Sequence, residues 1–265
     1  MLVVIRGGGD LATGTALRLY RAGMEAVLCE TAAPTSIRRT VCFSEAVRRG
    51  EMAVEGVSAR LAVEEEVPAL LAEGIIPVLI DPEARCVRSL KPDAVADVIL
   101  AKRNLGTTMD MAPAVVAAGP GFTAGKDCHA VVETMRGHYL GRVIYQGAAL
   151  PNTNIPGLIG GYAGERVLRA PADGVFQGAR QIGSRVEAGD IAGYVDGVPM
   201  VCTISGILRG LLADGTAAAK GMKSGDVDPR CQPDHCTCAS DKALAVGGGV
   251  LEAILHLTGA LKGNA

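Results

Sequence analysis

Val3-Val4-Ile5-Arg6-Gly7-Gly8-Gly9-Asp10-Leu11-Ala12-Thr13-Gly14 decides the reading of the whole chain. Leu2 to Ile5 are continuously apolar, as in a parallel strand buried on both faces. A glycine cluster follows, and the apolar spacing then turns helical at Leu11, Ala12, Ala16, Leu17, Leu19 and Tyr20. Such a strand–turn–helix leaves unpaired N–H groups at the start of the helix. Gly7, Gly9 and Ala12 match the G-x-G-x-x-G/A spacing. The first glycine turns the chain, the second admits a pyrophosphate to the backbone, and the small third residue lets helix and strand pack closely. Arg6, Gly8, Asp10 and Thr13 complete the candidate cofactor loop.

A second strand, Ala26 to Cys29, ends at Glu30, 21 residues beyond Gly9. A carboxylate there accepts the 2′-hydroxyl of an adenosine ribose. The competing reading is an ordinary α/β turn whose glycines serve packing alone. Arg38 and Arg39 follow this strand and suit a phosphate, for instance a 2′-phosphate, or else a solvated basic loop. Glu30 favours an unphosphorylated ribose; the two arginines argue the other way.

Further apolar runs alternate with helix-like segments. Strands are expected around Val54–Val57, Ile75–Ile80, Val95–Leu100 and Ala114–Ala118, with helices near Ser44–Val47 and over Val63–Ala72. This alternation predicts a parallel sheet in a three-layer α/β domain, a Rossmann-like fold over residues 1–150. Ligands of such sheets sit at the carboxyl ends of the strands. Arg6, Glu30, Asp81, Lys102-Arg103-Asn104 and Thr123, Lys126 and Asp127 are expected to converge on one crevice suited to a small anionic ligand. Cys128 to Val143 alternates like a β-hairpin, and Pro151 to Gly157 opens a turn-rich linker over 151–165.

From Ala170 the chain repeats itself. Asp173-Gly174-Val175-Phe176-Gln177-Gly178 recurs 32 residues later as Ser205-Gly206-Ile207-Leu208-Arg209-Gly210, and Gly183 and Gly189 recur as Gly215 and Gly221. Short strands between glycine turns imply two pseudo-symmetric β-halves packed face to face. Residues 166–230 resemble the barrel-sandwich hybrid of biotinyl and lipoyl carrier domains. A carrier presents its modified lysine on the hairpin between the halves. Here that hairpin, Tyr194 to Met200, has no lysine, and Lys220 and Lys223 lie beyond the second half. The fold is therefore expected without the swinging arm.

Residues 231–265 form the last segment, a cysteine-rich loop and a glycine-interrupted helix capped by Ser240 or Asp241. Cys231, His235, Cys236 and Cys238 offer soft ligands, but the short C-x-C spacing and the lack of a second pair count against structural zinc, and no metal is assigned. Oxidisable surface thiols are one alternative. Another is a single reactive thiolate at Cys236, activated by the helix N-terminus and by Lys242 or His235, with Asp241 beside it. The other five cysteines, Cys29, Cys42, Cys86, Cys128 and Cys202, are scattered in apolar surroundings and read as reduced thiols.

The chain has 265 residues and a net charge of −2, with 49% hydrophobic residues, 3% aromatics and no Trp. That composition argues against a nucleic-acid surface of cationic charge and stacked bases. No apolar run reaches the roughly 18 residues of a membrane span, and no secretory segment is evident, so a cytoplasmic protein is expected. Glycine, at 35 residues, is about twice its usual 7% share.

R-G-G-G-D-L-A-T-G (6–14), I-R-R-T-V (37–41), A-K-R-N-L-G-T (101–107), G-P-G-F-T-A-G-K-D-C-H (119–129), V-E-T-M-R-G-H (132–138), G-D-V-D-P-R (225–230) and S-D-K-A-L-A-V-G-G-G-V-L-E-A (240–253) together resemble the YqeB family. The resemblance spans nearly the whole chain. It implies a cytoplasmic bacterial accessory protein of the selenium-dependent molybdenum hydroxylase system, assisting maturation of its partner hydroxylase. Cys236 and Ser240-Asp241-Lys242 stand where the family motif has them, whereas Cys231, His235 and Cys238 are features of this sequence.

Three functions follow as expectations. The first is a maturation factor that binds a nucleotide or a molybdopterin-type cofactor at the glycine loop, with Cys236 handling sulfur or selenium. The second is an NAD(P)-dependent oxidoreductase whose β-domain binds substrate or builds a homo-oligomer, with His129, His138 and Lys102 as acid/base candidates. The third is a non-catalytic scaffold.

Overall fold

The computed structural model describes residues 1–260; residues 261–265, the end of the last expected segment, lie outside the described residues. The chain is a mixed α/β protein with one nine-stranded sheet, part parallel and part antiparallel, and two four-stranded antiparallel sheets. It divides into two compact units. Unit 1 comprises Met1–Pro34, Phe43–Thr153 and the chain from Ala239 onward; unit 2 comprises Thr35–Cys42 and Asn154–Cys238.

Unit 1 contains β1 (Leu2–Arg6), α1 (Asp10–Arg21), β2 (Glu25–Glu30), α2 (Ala46–Arg49), β3 (Glu51–Val54), β4 (Val57–Ala62), α3 (Val67–Ala72), β5 (Ile76–Ile80), α4 (Val87–Leu90), β6 (Ala94–Asp97), β7 (Ala114–Ala118), β8 (Ala130–Val132), β9 (Val143–Ile144) and α5 (Asp241–Thr258). The sheet order is β3-β4-β5-β2-β1-β6-β7-β8-β9. Neighbours from β4 to β8 pair in parallel, and β3 and β9 close the edges antiparallel. From β1 the chain passes to β2, runs to the far edge as the β3–β4 hairpin and returns to β5 between β4 and β2; it then crosses to the other side of β1 and steps outward through β6, β7 and β8. That reversal at β1 is a topological switch point, where the loops of adjacent strands part to leave a crevice.

One face of the sheet packs Val4, Val27, Leu79, Val95 and Val115 against Val67 and Leu70 of α3. α5 packs against α1, β7 and β8. Small residues let the two helices approach: a Cβ placed on Gly14 would lie 2.6 Å from Ala243 Cβ, and one on Gly247 would lie 2.7 Å from the Gly14 carbonyl oxygen. Ser240 caps α5 by accepting the Ala243 N–H at 3.1 Å. No described helix is long and apolar enough to cross a membrane.

Two expected strands are corrected. Val54–Val57 is the turn of the β3–β4 hairpin rather than a strand, because Glu55 and Gly56 both take positive φ, 48° and 81°. The strand expected to run to Leu100 stops at Asp97, since the Asp97 side chain accepts the Ile99 N–H and Leu100 has a φ of 63°.

Unit 2 contains β10 (Val167–Arg169), β11 (Gly174–Gly178), β12 (Arg185–Val186), β13 (Ile191–Val195), β14 (Val198–Val201), β15 (Gly206–Leu211), β16 (Ala217–Ala218) and β17 (Lys223–Asp228). The 32-residue period of the sequence carries β11 onto β15, β12 onto β16 and β13 onto β17. One sheet is ordered β14-β13-β11-β16 and the other β10-β17-β15-β12. Each half thus lends its second strand to the sheet of the other half. Phe176, Met200, Leu208 and Val227 lie in the shared core.

Unit 2 also buries an ionic network, and the G-D-V-D-P-R motif supplies its acids. Asp226 pairs with Arg166 and accepts Arg209 Nε at 2.8 Å; Asp228 accepts Arg209 at 3.1 Å and Arg230 at 2.7 Å. Burial alone would raise Asp228, but hydrogen bonds from Arg230 and the charges of Arg209 and Arg230 outweigh it and hold the carboxyl well below the usual range.

Two measurements check this packing. Gly247→Val should lower stability by about 1–3 kcal/mol through overpacking. Gly248→Ala, which meets nothing within 4 Å, should raise it by roughly 0.5–1 kcal/mol; equal melting temperatures for the two variants would contradict the α1–α5 contact. For Asp228, a depressed folded-state pKa gives stability that is present above the unfolded value of about 4 and lost as pH falls toward the folded one. Asp228→Asn should therefore cost about 3 kcal/mol at neutral pH and flatten the acid limb of the stability curve; an unchanged limb would count against the network.

Candidate functional site

The candidate site of unit 1 is assembled at the carboxyl ends of β1, β2, β5 and β6. Arg6, the last residue of β1, is 1% exposed. It stands in register with Cys29 on β2 and Asp97 on β6. Registered residues of neighbouring strands share a face, and Arg6 Nη1 lies 3.2 Å from the Asp97 carboxylate. Nη1 also donates to the Thr107 hydroxyl, and Nη2 donates to the Pro82 and Leu105 carbonyls at 3.0 and 2.9 Å. One guanidinium thereby ties β1 to the loops after β5 and β6. Its Nε has no hydrogen-bond partner among the described residues. Thr107 Oγ1 donates to Asp97 at 2.6 Å. Burial raises Asp97 above its ordinary value, opposed by the Thr107 hydroxyl, the Arg6 charge and the Ile99 amide.

The glycine loop follows directly. Gly7 turns the chain with a φ of 103°, and a Cβ there would lie 3.1 Å from the Val98 carbonyl oxygen. Gly9 is the N-cap of α1 and has no side chain to close the first turn. Thr13 braces the loop from within, donating to the Gly8 carbonyl at 3.2 Å and accepting the Phe43 N–H at 2.9 Å. The Ser44 N–H donates to the Gly8 carbonyl at 2.9 Å. Asp10 and Ala12 lie on the first turn of α1, with Ala12 fully buried. At the end of β2, burial pushes the Glu30 carboxyl up to about 7, against the opposing pull of the nearby Thr31 and Gly8 amides. The acid and the glycine loop that the sequence spacing paired therefore stand at the ends of adjacent strands.

The loop after β6 carries Lys102, which is exposed and has a φ of 61°. A Cβ on Gly121 would lie 2.5 Å from the Arg103 amide nitrogen, so the loop after β7 packs closely on this segment. Asn104 holds the turn by accepting the Thr107 N–H at 2.7 Å and donating to the Thr107 carbonyl at 2.8 Å. His129 accepts the Val115 N–H at its Nδ1, 3.0 Å away. That bond leaves only its other ring nitrogen for proton transfer.

A second cluster adjoins these residues. Cys29, one residue before Glu30, lies with its Sγ 3.4 Å from Cys86 Sγ. Asp81, just after β5, accepts the Cys86 N–H at 2.9 Å. The Cys29 thiol is held well above its ordinary value, first by its bond with Cys86 and then by burial. The two thiols are 57 residues apart in sequence and meet only in the fold.

Other candidates lie elsewhere. Arg38 and Arg39 belong to unit 2. There Arg38 donates to the His235 and Cys238 carbonyls, Arg39 to the Leu211 carbonyl, and Thr40 to the Cys236 carbonyl. Cys236 also belongs to unit 2, while Asp241 and Lys242 open α5 in unit 1. Asp241 forms a bidentate pair with Arg136 at 2.6 and 2.9 Å. Burial pushes the Cys236 thiol up, partly offset by Arg38 and Arg209.

Comparison with known proteins bears on the whole chain. The uncharacterized protein YqeB of Escherichia coli K12 is 52% identical over 257 residues, a match covering 97% of this chain and 48% of that protein. Over this span the chain is a YqeB relative. The resemblance read from the motifs is thus matched by identity along almost the full sequence, and the chain spans about half the length of YqeB. No family model matches. Among solved structures, a succinylglutamatedesuccinylase/aspartoacylase from Rhodobacter sphaeroides aligns over 24% of this chain and 22% of its own, at 22% identity and a TM-score of 0.22. That likeness is too small to carry an argument.

The thiol surroundings yield a direct test. Cys231 is exposed and Cys236 is buried, so at neutral pH an alkylating reagent should label Cys231 first and Cys236 only on unfolding. Labelling of Cys236 in the native protein at a rate matching or exceeding Cys231 would show an activated thiolate.

Proposed function

We propose that unit 1 is a Rossmann-like domain that binds an adenosine-type nucleotide or a pterin-type cofactor, and that the chain is an accessory factor in maturation of a selenium-dependent molybdenum hydroxylase. The observation that carries the binding reading is the placement of the partly buried Glu30 at the end of β2, next to β1 and its glycine loop at the switch point. The residues present fit such a ligand. Gly7 makes the turn, and Gly9, half-buried, leaves the backbone bare at the N-terminus of α1, where N–H groups and the helix dipole favour a phosphate or pyrophosphate. Glu30 offers an acceptor for a ribose hydroxyl. Lys102 supplies exposed positive charge on the loop after β6, and Arg6 acts as a positioning residue that holds the surrounding loops.

The accessory role rests on the YqeB motifs, since the relative's name carries no activity. Unit 2 supports a barrel-sandwich-hybrid reading through its 32-residue period and exchanged strands, with Asp196-Gly197 at the hairpin where a carrier would place its lysine. The absence of that lysine supports a docking or scaffolding use of unit 2 instead of a swinging arm. In this scheme Cys236, buried in the free chain, handles sulfur or selenium only when docking of the partner exposes it.

Ligand release and mass spectrometry of the anaerobically purified protein would identify what it carries. The expected result is an adenosine nucleotide or a pterin, with affinity for the recovered ligand lowered about tenfold by Glu30→Ala, a loss of roughly 1.4 kcal/mol. Recovery of NAD(P) together with substrate-dependent hydride transfer would favour the oxidoreductase instead. No binding of adenosine nucleotides or pterins, even with the hydroxylase present, would overturn the proposal.

A further inference from the structure

The pair of buried thiols beside Glu30 plays no part in the nucleotide reading. Cys29 comes from β2 and Cys86 from the turn into α4, 57 residues apart in sequence, yet their Sγ atoms stand 3.4 Å apart. Asp81 is half-buried, and its carboxylate completes a set of ligand atoms all within 4.8 Å of one another. Among the described residues this is the one group of three such side chains so gathered; Cys231, His235, Cys236 and Cys238 form none.

We propose that Cys29, Cys86 and Asp81 form a binding site for a thiophilic divalent cation of the Zn²⁺ class. Three arguments carry it. Two thiolates and one carboxylate are a ligand set suited to Zn²⁺, and three protein ligands leave a fourth position for water or another donor. Zn–S bonds of about 2.3 Å place the two sulfurs of a tetrahedral site roughly 3.8 Å apart. The separation here is a few tenths of an ångström shorter and far from the roughly 2.05 Å of a disulfide. Finally, Asp81 is oriented from outside the set, because its Oδ2 accepts the Cys86 N–H at 2.9 Å. Such bonds fix a ligating carboxylate as an outer shell does in known sites. The three residues stand on regular supports: the penultimate residue of a central strand, the residue after its neighbour, and the N-cap of a helix.

Binding forms two metal–sulfur bonds and one metal–oxygen bond, and it releases the two thiol protons to solvent; no oxidant or reductant is needed. Arg6, in register with Cys29, adds positive charge beside a site whose three ligands sum to −3 when ionised. The half-buried Asp81 is the most exposed of the three ligands.

The test uses the full chain, reduced and metal-free, titrated with Zn²⁺ against a chromogenic chelator and separately with Co²⁺. One Zn²⁺ per chain is expected, and the Co²⁺ form should show sulfur-to-metal charge-transfer absorption. Cys29→Ser and Cys86→Ser should each lose at least about tenfold in affinity and weaken that absorption. Cys128→Ser, at another buried thiol of unit 1, should leave both unchanged. Asp81→Asn, at a half-exposed position, keeps the test open if a serine variant fails to fold, and it should weaken Zn²⁺ binding by about tenfold. Folded protein that takes up no Zn²⁺ would overturn the proposal. So would a site that survives Cys29→Ser and Cys86→Ser, or an affinity unchanged by Asp81→Asn.

Discussion

The buried Arg6 guanidinium is the constraint on which unit 1 depends. A charge this deep is tolerated only when it is paired and hydrogen-bonded, and Arg6 spends its two terminal nitrogens on four acceptors from three stretches of chain. Asp97 is the counter-charge, and Thr107 is held by both partners. Because β1 is the strand at which the sheet order reverses, one side chain fixes the loops on either side of the switch point. The glycine turn begins at the next residue. A less firmly held Arg6 would leave Gly7, Asp97 and the Lys102 loop without a common reference.

Unit 2 meets the same need by a different route. Its strands are short and its turns rich in glycine, and apolar burial is assisted by Asp226 and Asp228 laid along β17 against Arg166, Arg209 and Arg230. Removing one member would leave its partner buried and charged, which costs more than the pair contributes. The chain as a whole has few aromatic side chains and many glycines. Its helices and strands compensate by close backbone approach, as at Gly14 and Gly247 between α1 and α5.

Local pattern made much of this legible. The strand–glycine–helix opening, Glu30 at the end of β2 and the 32-residue period each follow from periodicity or fixed spacing, and each recurs in the structure. Val54–Val57 misled because its two valines flank a turn, and the conformation of Glu55-Gly56 reads as strand when only hydrophobicity is followed. Long-range partners were beyond reach. Arg6 and Asp97 are 91 residues apart, and Cys29 and Cys86 are 57 apart. Asp97 inside an apolar run was still a signal, since a carboxylate in a buried strand requires a partner. Arg38 and Arg39 suit either a phosphate or a solvated basic loop by sequence, and in unit 2 they donate to backbone carbonyls of the C-terminal loop and of β15.

Hydrogen–deuterium exchange of the chain beside Arg6→Lys measures the dependence on Arg6. Lysine keeps the charge but loses the planar fork that reaches several acceptors at once. Faster exchange is predicted at the Ile99 and Thr107 amides, which bond to Asp97 and Asn104, with protection retained along β10 to β17. Unchanged exchange at those amides would contradict the account, and so would a uniform loss of protection through both units.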